Sequence, residues 1–254
     1  MQAFFDSFAW ITNPTVILRQ SMAGIANGML LFLVASGLSL IFGVTRVINF
    51  AHGIFFMLGA YFAFTVVGSS LNGWMSFLLM LAVATAGMFV VGILFEVCIL
   101  RRIYRSAQAF QLLVTFALVL IAGDAVLLIW GNADNSMSLL HELDGFVRLF
   151  GVSFPVYRLF LIGVGSSVCL LLWLLLYRSR WGVMVRAATV DRDMLSALGI
   201  NVGRVFSLVF GLGSALAGLA GGLASAGLTH GQFTVDLVRS ALARGNKVRP
   251  GSTG

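Results

Sequence analysis

Residues Gly37 to Tyr61 read GLSLIFGVTRVINFAHGIFFMLGAY. Both ends of this stretch are apolar, and its middle carries Arg46, Asn49 and His52. Glycines punctuate it at Gly37, Gly43, Gly53 and Gly59. In a bilayer a mid-helix charge costs about 2.5–3.5 kcal/mol on insertion scales. Polar groups therefore persist at membrane depth only where protein or a water-filled cavity covers them. A polar, glycine-rich break between two apolar arms is a candidate element of a path across a membrane.

The rest of the chain places this stretch in a membrane. Of 254 residues, 59% are hydrophobic and 10% are charged, against about 25% charged in ordinary soluble domains. Mean hydropathy is +1.00. The fold class expected is all-α, a polytopic integral membrane protein. Six apolar runs, 22–43, 47–68, 75–100, 109–130, 159–177 and 205–228, approach the roughly 20 residues that a spanning helix needs. Only Val44, Thr45 and Arg46 separate the first two runs. Three residues scarcely suffice for a hairpin between full spans, so one of the pair is expected to be broken or re-entrant near Asn49 to Gly53.

The net charge of +7 does not point to nucleic acid, because the basic residues sit at the ends of apolar runs. Arginines gather in the connector with Arg101, Arg102 and Arg105, and in 178–204 with Arg178, Arg180, Arg186, Arg192 and Arg204. The positive-inside rule puts both in the cytoplasm. The uncharged connector 69–74, the loop 131–158 and the N-terminus then fall outside. Trp10, Trp74, Trp130, Tyr157, Tyr177 and Trp181 lie at run edges, as interfacial aromatics do. Gly24 and Gly28, and the series Gly211, Ala215, Gly218 and Gly222, have the spacing of small residues that lets helices approach closely. The chain divides into an N-terminal segment 1–21, a membrane domain 22–230 containing the cytoplasmic segment 178–204, and a hydrophilic tail 231–254. That tail carries Arg239, Arg244, Lys247 and Arg249 against Asp236. On this span count it lies outside, against the charge rule.

Little here suits an enzyme. The single lysine, Lys247, follows Asn246 and not a glycine, so no phosphate-binding GxxxxGK[ST] loop exists. HExxH, CxxC and GxSxG are absent, and the three histidines are far apart. Cys98 and Cys169 lie in apolar runs and read as small core hydrophobes. No catalytic residue, metal or cofactor is expected. The ionisable groups inside the runs are Arg46, Glu96, Asp124 and His52. Glu96, five residues before Arg101, reads as one half of an ion pair. Asp124, beside Ala122, Gly123 and Ala125, either pairs with Arg46 or faces a path.

The connector 178–204 shows a second pattern. Ala187, Val190, Met194, Ala197 and Leu198 recur at helical steps, and Gly199 fits the C-cap. Asp191 and Asp193 fall in another sector. A short amphipathic helix flanked by arginines suits docking into a groove on a soluble partner; a helix lying on anionic lipid is the alternative.

Together these stretches resemble one known family. The Gly37–Tyr61 segment is similar to the signature of the permease subunits of branched-chain amino acid ABC importers. RAATVDRDMLSALGINVGRVF, from Arg186, followed by LAGLAGG, resembles that family's coupling segment and its next membrane helix. TFALVLIAGDAVLLIWG, from Thr115, resembles its middle region. The resemblance covers roughly residues 20–228. It implies a bacterial inner-membrane subunit working with a second permease subunit, two cytoplasmic ATPases and a periplasmic substrate-binding protein. The path would involve Asn49, Phe50, Ala51, His52 and Gly53, with Arg46 and Asp124 as further candidates. ATPase coupling would involve Arg186, Ala187, Asp191, Ala197, Gly199 and Ile200. The family also includes permeases for urea and short amides, so the cargo stays open. An ion-coupled secondary transporter or channel is the rival class. Family members continue past the position of Leu228 with further glycine-rich membrane segments, so the hydrophilic tail is expected to reflect a truncated or frame-shifted product.

Overall fold

The computed structural model describes residues 14–47, 49–67, 73–104, 106–131, 143, 145–149 and 152–227. Trp10 and the tail 231–254 lie outside the described residues. Helix α1 spans Pro14–Thr45. It opens on a proline, whose fixed φ and missing N–H suit the first helical position. It takes in the first apolar run and eight further residues at its start. Helix α2, His52–Val67, has 16 residues and is about 24 Å long, short of the roughly 30 Å hydrocarbon core. Helix α3 spans Gly73–Phe95. A π-helical turn, Glu96–Leu100, and an α-helical turn, Arg101–Ile103, extend it. Then come α4 (Gln108–Trp130), α5 (Val156–Arg178), α6 (Arg180–Val190), α7 (Arg192–Ala197) and α8 (Val202–Gly227). Five of these helices are long and apolar enough to cross a membrane. With the shorter α2 they account for the six runs, and the all-α polytopic reading holds.

One element departs from the expected loop 131–158. Strands β1 (Phe146–Leu149) and β2 (Val152–Pro155) form an antiparallel hairpin, with Phe146 opposite Pro155 and Leu149 opposite Val152. The strands are too short for period-2 alternation to stand out.

Helix α8 is the axis, packed on by α1, α2 and α3. Its small residues explain why. A methyl group at Gly59 would lie 2.5 Å from the Cα of Gly218, and one at Gly218 would lie 2.5 Å from Met88 Cγ. One at Gly37 would run into the carbonyl of Gly213. Backbones at these crossings touch, so no side chain fits between them. Gly24 and Gly28 differ: a methyl group at either meets nothing within 4 Å, and this GxxxG packs on no described part of the chain. Cys98 and Cys169 are free and exposed on the outside of the bundle, not in the core as expected.

The ends of the bundle are distinct. At one, Val44, Val185, Ala188, Leu195, Val205, Phe206 and Val209 form a cluster that gathers the end of α1, the connector helices and the start of α8. Both arginine-rich connectors lie at this basic end. At the other, Tyr157 donates a hydrogen bond to the Leu223 carbonyl. Trp130 Nε1 donates to Thr65 Oγ1 at 2.8 Å, and Trp74 packs edge-on against Phe77.

Candidate functional site

The break between α1 and α2 begins at Arg46, whose φ is 57°. A non-glycine residue in the left-handed region ends the helix and reverses the chain. Polar side chains then replace the lost backbone ladder. Thr45 Oγ1 donates to the Ile41 carbonyl at 2.9 Å and accepts from Val47 N–H at 3.3 Å. Asn49 Oδ1 accepts from Ala51 N–H at 3.0 Å, and the Asn49 carbonyl accepts from His52 N–H at 3.2 Å. Helix α2 starts there.

His52 Nε2 lies 3.1 Å from the carbonyl oxygen of Val34. Val34 stands eleven residues before the last residue of α1, a rise of about 16 Å. The chain therefore runs back along α1 before α2 begins, and α2 starts within the length of a helix long and apolar enough to cross a membrane. That is the re-entrant break expected from the three-residue spacing. Asn49 and His52 are each 3% exposed, and Ala51 is fully buried. Phe50 projects outward. With Ala109, Leu112, Leu113 and Phe116 it lines an open apolar groove of about 470 Å³ between the break and α4. Gly53 is exposed beside open space.

Arg46 and Asp124, expected among the intramembrane ionisable groups, are not brought together. Arg46 is exposed at the basic end, where its Nη2 donates to the Thr189 carbonyl at 3.0 Å. Arg192 mirrors it: its Nη2 donates to the Val44 carbonyl at 2.9 Å. Each guanidinium thus satisfies a carbonyl in the last turn of the other's neighbouring helix, where cations are favoured. The two bonds tie the break to the connector. Arg192 also sits 5.0 Å over the Phe206 ring. Burial, and then the like charge of Arg46, lowers its pKa. Asp124 is exposed on α4, with no hydrogen-bond or ion-pair partner among the described residues.

The connector is two helices, not the single one expected across Ala187–Leu198. Helix α6 stops at Val190, and Asp191, with φ −144°, caps α7 by accepting from Asp193 N–H at 2.9 Å and Met194 N–H at 3.0 Å. Gly199, at φ +80°, closes α7. Its N–H bonds the Ser196 carbonyl at 2.9 Å, and Ile200 N–H bonds that of Leu195 at 3.3 Å, the paired bonds of a Schellman cap. Leu195 and Val185 anchor the connector in the basic-end cluster, with Ala187 and Ile200 packed against it. Val190, Met194 and Leu198 are left 81%, 60% and 69% exposed. Ala197 is exposed too, as is Arg186, which stacks 5.2 Å over Tyr177.

One cluster was only half visible in the sequence. Glu96 is fully buried at the π-helical turn. Its expected pair with Arg101 is present at 2.9 Å, and Ser207 Oγ and Tyr104 Oη donate to it at 2.8 and 3.1 Å. Burial and the adjacent carboxylate raise the Tyr104 pKa. Arg101 also reaches the Gly203 carbonyl at 3.2 Å. The group locks the end of α3 to the start of α8. Nothing in the spacing of Glu96 and Ser207 signals this pairing. No three residues among the described His, Cys, Asp and Glu are placed to hold a metal.

Comparison with known proteins identifies the family. The family model described as branched-chain amino acid transport system / permease component matches residues 21–243. The high-affinity branched-chain amino acid transport system permease protein LivH of Escherichia coli K12 is 29% identical over 216 residues, covering 80% of this chain and 69% of that protein. The corresponding BraD protein of Pseudomonas aeruginosa is 29% identical over 211 residues, with the same coverage. A probable LivH of Methanocaldococcus jannaschii is 32% identical over 207 residues, covering 76% of this chain and 62% of that protein. No solved structure matches the chain. A multi-pass helical bundle whose family match runs through both the broken segment and the connector is a transport permease subunit, and the chain belongs to the family of permease components of branched-chain amino acid transport systems.

Proposed function

We propose that this chain is the membrane-spanning subunit of an ATP-driven importer for branched-chain amino acids in a bacterial inner membrane. The break at Asn49, Phe50, His52 and Gly53 lines the path, and α6–α7 dock a cytoplasmic ATPase. One observation carries the coupling part of this reading: an apolar stripe, Val190, Met194 and Leu198, stands exposed on a capped element anchored to the membrane core. An exposed apolar helix face with charged flanks suits a groove on a soluble protein. The paired bonds Arg46–Thr189 and Arg192–Val44 join that element to the start of the break. ATPase closure would move α6–α7 as a rigid body and shift the break between outward and inward access. A second permease subunit and a periplasmic binding protein complete the importer, and the binding protein selects the cargo.

Co-purification tests the class. The affinity-tagged permease should bring an ATPase with it, and Met194→Asp should release that ATPase. In the assembled importer, Gly199→Pro or Arg186→Glu should abolish leucine uptake while membrane insertion is unchanged. Uptake that proceeds without any ATPase would replace this reading with an ion-coupled carrier.

A further inference from the structure

The start of α2 leaves one buried hydrogen-bond donor and one buried acceptor unused. Asn49 Oδ1 is committed to Ala51 N–H, so Nδ2 keeps both hydrogens, and it is buried without a partner. The Val34 carbonyl only accepts, so His52 Nε2 carries the proton in that 3.1 Å contact. In the neutral imidazole Nδ1 is then a bare acceptor, and it too is buried without a partner. Such groups are costly to leave unmet, and each calls for a physical reason. Both sit at the N-terminus of a 16-residue helix that begins beside Val34, within the length of α1. There the helix dipole favours negative charge, with His52 N–H and Ile54 N–H bonded to the Asn49 and Ala51 carbonyls. Half-helices that start at mid-membrane serve substrate carboxylates in this way. Gly53, the next residue after His52, is exposed, and a methyl group on it would meet nothing within 4 Å.

A ligand that satisfies this pair must accept at one end and donate at the other. An inorganic anion meets Asn49 and the helix end but leaves His52 Nδ1 unmet. A cation meets only His52. We propose that Asn49 Nδ2 and His52 Nδ1 form a two-point clip for an amino acid zwitterion in transit, with the α-carboxylate on Asn49 and the α2 N-terminus and the α-ammonium on His52. This rests on the reading of the break as part of the path, and it assigns that path a binding site. The clip reads the two ends that all amino acids share. It therefore passes cargo without selecting the side chain.

The test is equilibrium binding of tritiated leucine to the detergent-purified importer complex, without the periplasmic binding protein. Asn49→Asp keeps an oxygen for Ala51 N–H and replaces the Nδ2 donor with a second acceptor. His52→Phe keeps an aromatic ring and removes the Nδ1 acceptor, and the Val34 carbonyl keeps its place in the α1 ladder. Each should weaken leucine binding about tenfold or more. Deaminated 4-methylpentanoate and decarboxylated 3-methylbutylamine should each displace leucine about tenfold less well than valine does. Unchanged binding in both variants, equal displacement by either one-ended analogue, or no leucine binding by the wild-type complex would overturn the clip and leave water as the occupant. ATPase co-purification separates the two readings: its loss from the wild type sinks the importer, whereas lost leucine binding with the ATPase retained is specific to the clip.

Discussion

A single methyl group distinguishes two kinds of glycine in this chain. At Gly59 it would press on the Gly218 backbone at 2.5 Å, whereas at Gly24 it would meet nothing within 4 Å. Gly59→Ala should therefore destabilise by about 1–3 kcal/mol through overpacking. Gly24→Ala, in a helix interior with room to spare, should stabilise by about 0.5–1 kcal/mol. Thermal melting of the detergent-solubilised protein checks both signs. The sequence marks Gly24–Gly28 as the stricter motif, yet the structure uses Gly37 and Gly59. Spacing shows which glycines share a face, not what that face meets. Glu96 is a second residue-scale case. Glu96→Ala removes the acceptor of Tyr104 and Ser207 and should cost about 1–3 kcal/mol. Arg101, whose side chain is 43% exposed, turns to water and adds little. Glu96→Gln, which still accepts one hydrogen bond, should melt between the two.

At the scale of an element, the connector shows what a pattern of residues can and cannot reveal. Gly199 is legible as a helix end because a glycine is the cheap residue at φ +80°. The interruption at Asp191 is not legible, since the apolar spacing runs through it unbroken from Ala187 to Leu198. Only the aspartate's habit of capturing backbone N–H groups two and three residues on gives it away, and that needs the backbone to be seen. The cap makes a specific prediction. Asp191→Ala should cost about 1 kcal/mol of α7 stability and reduce ATPase co-purification, because the Met194–Leu198 face loses its fixed angle to α6. Asp191→Asn keeps the accepting oxygen and should behave nearly as the wild type. Equal loss in both variants would mean that the charge of Asp191, and not its cap, holds the partner.

Across the whole molecule, hydropathy and burial run in opposite directions. Of the five long helices α8 is the least apolar, yet it is the most buried; α4 is the most apolar and the least buried. Lipid is as apolar as a protein core, so hydropathy locates spans without ranking them by depth in the bundle. The six runs and the short first hairpin were legible for that reason, and the central position of α8 was visible only in its small residues. The same inversion bears on α4. It packs in this chain mainly on α2, and its outer face sets Leu120, Asp124 and Leu128 one turn apart, all exposed. A carboxylate left bare in hydrocarbon is costly and demands a donor from elsewhere. In the proposed importer that donor comes from the second permease subunit. With Cys98 and Cys169 replaced by alanine, a single cysteine at Leu128 should cross-link to that subunit, whereas one at Leu31, exposed on α1, should not. Asp124→Lys should release the second subunit, and Asp124→Asn, which can still accept a hydrogen bond, should retain it. Cross-linking at both cysteines alike, or co-purification indifferent to Asp124→Lys, would place the subunit interface on another face of the bundle.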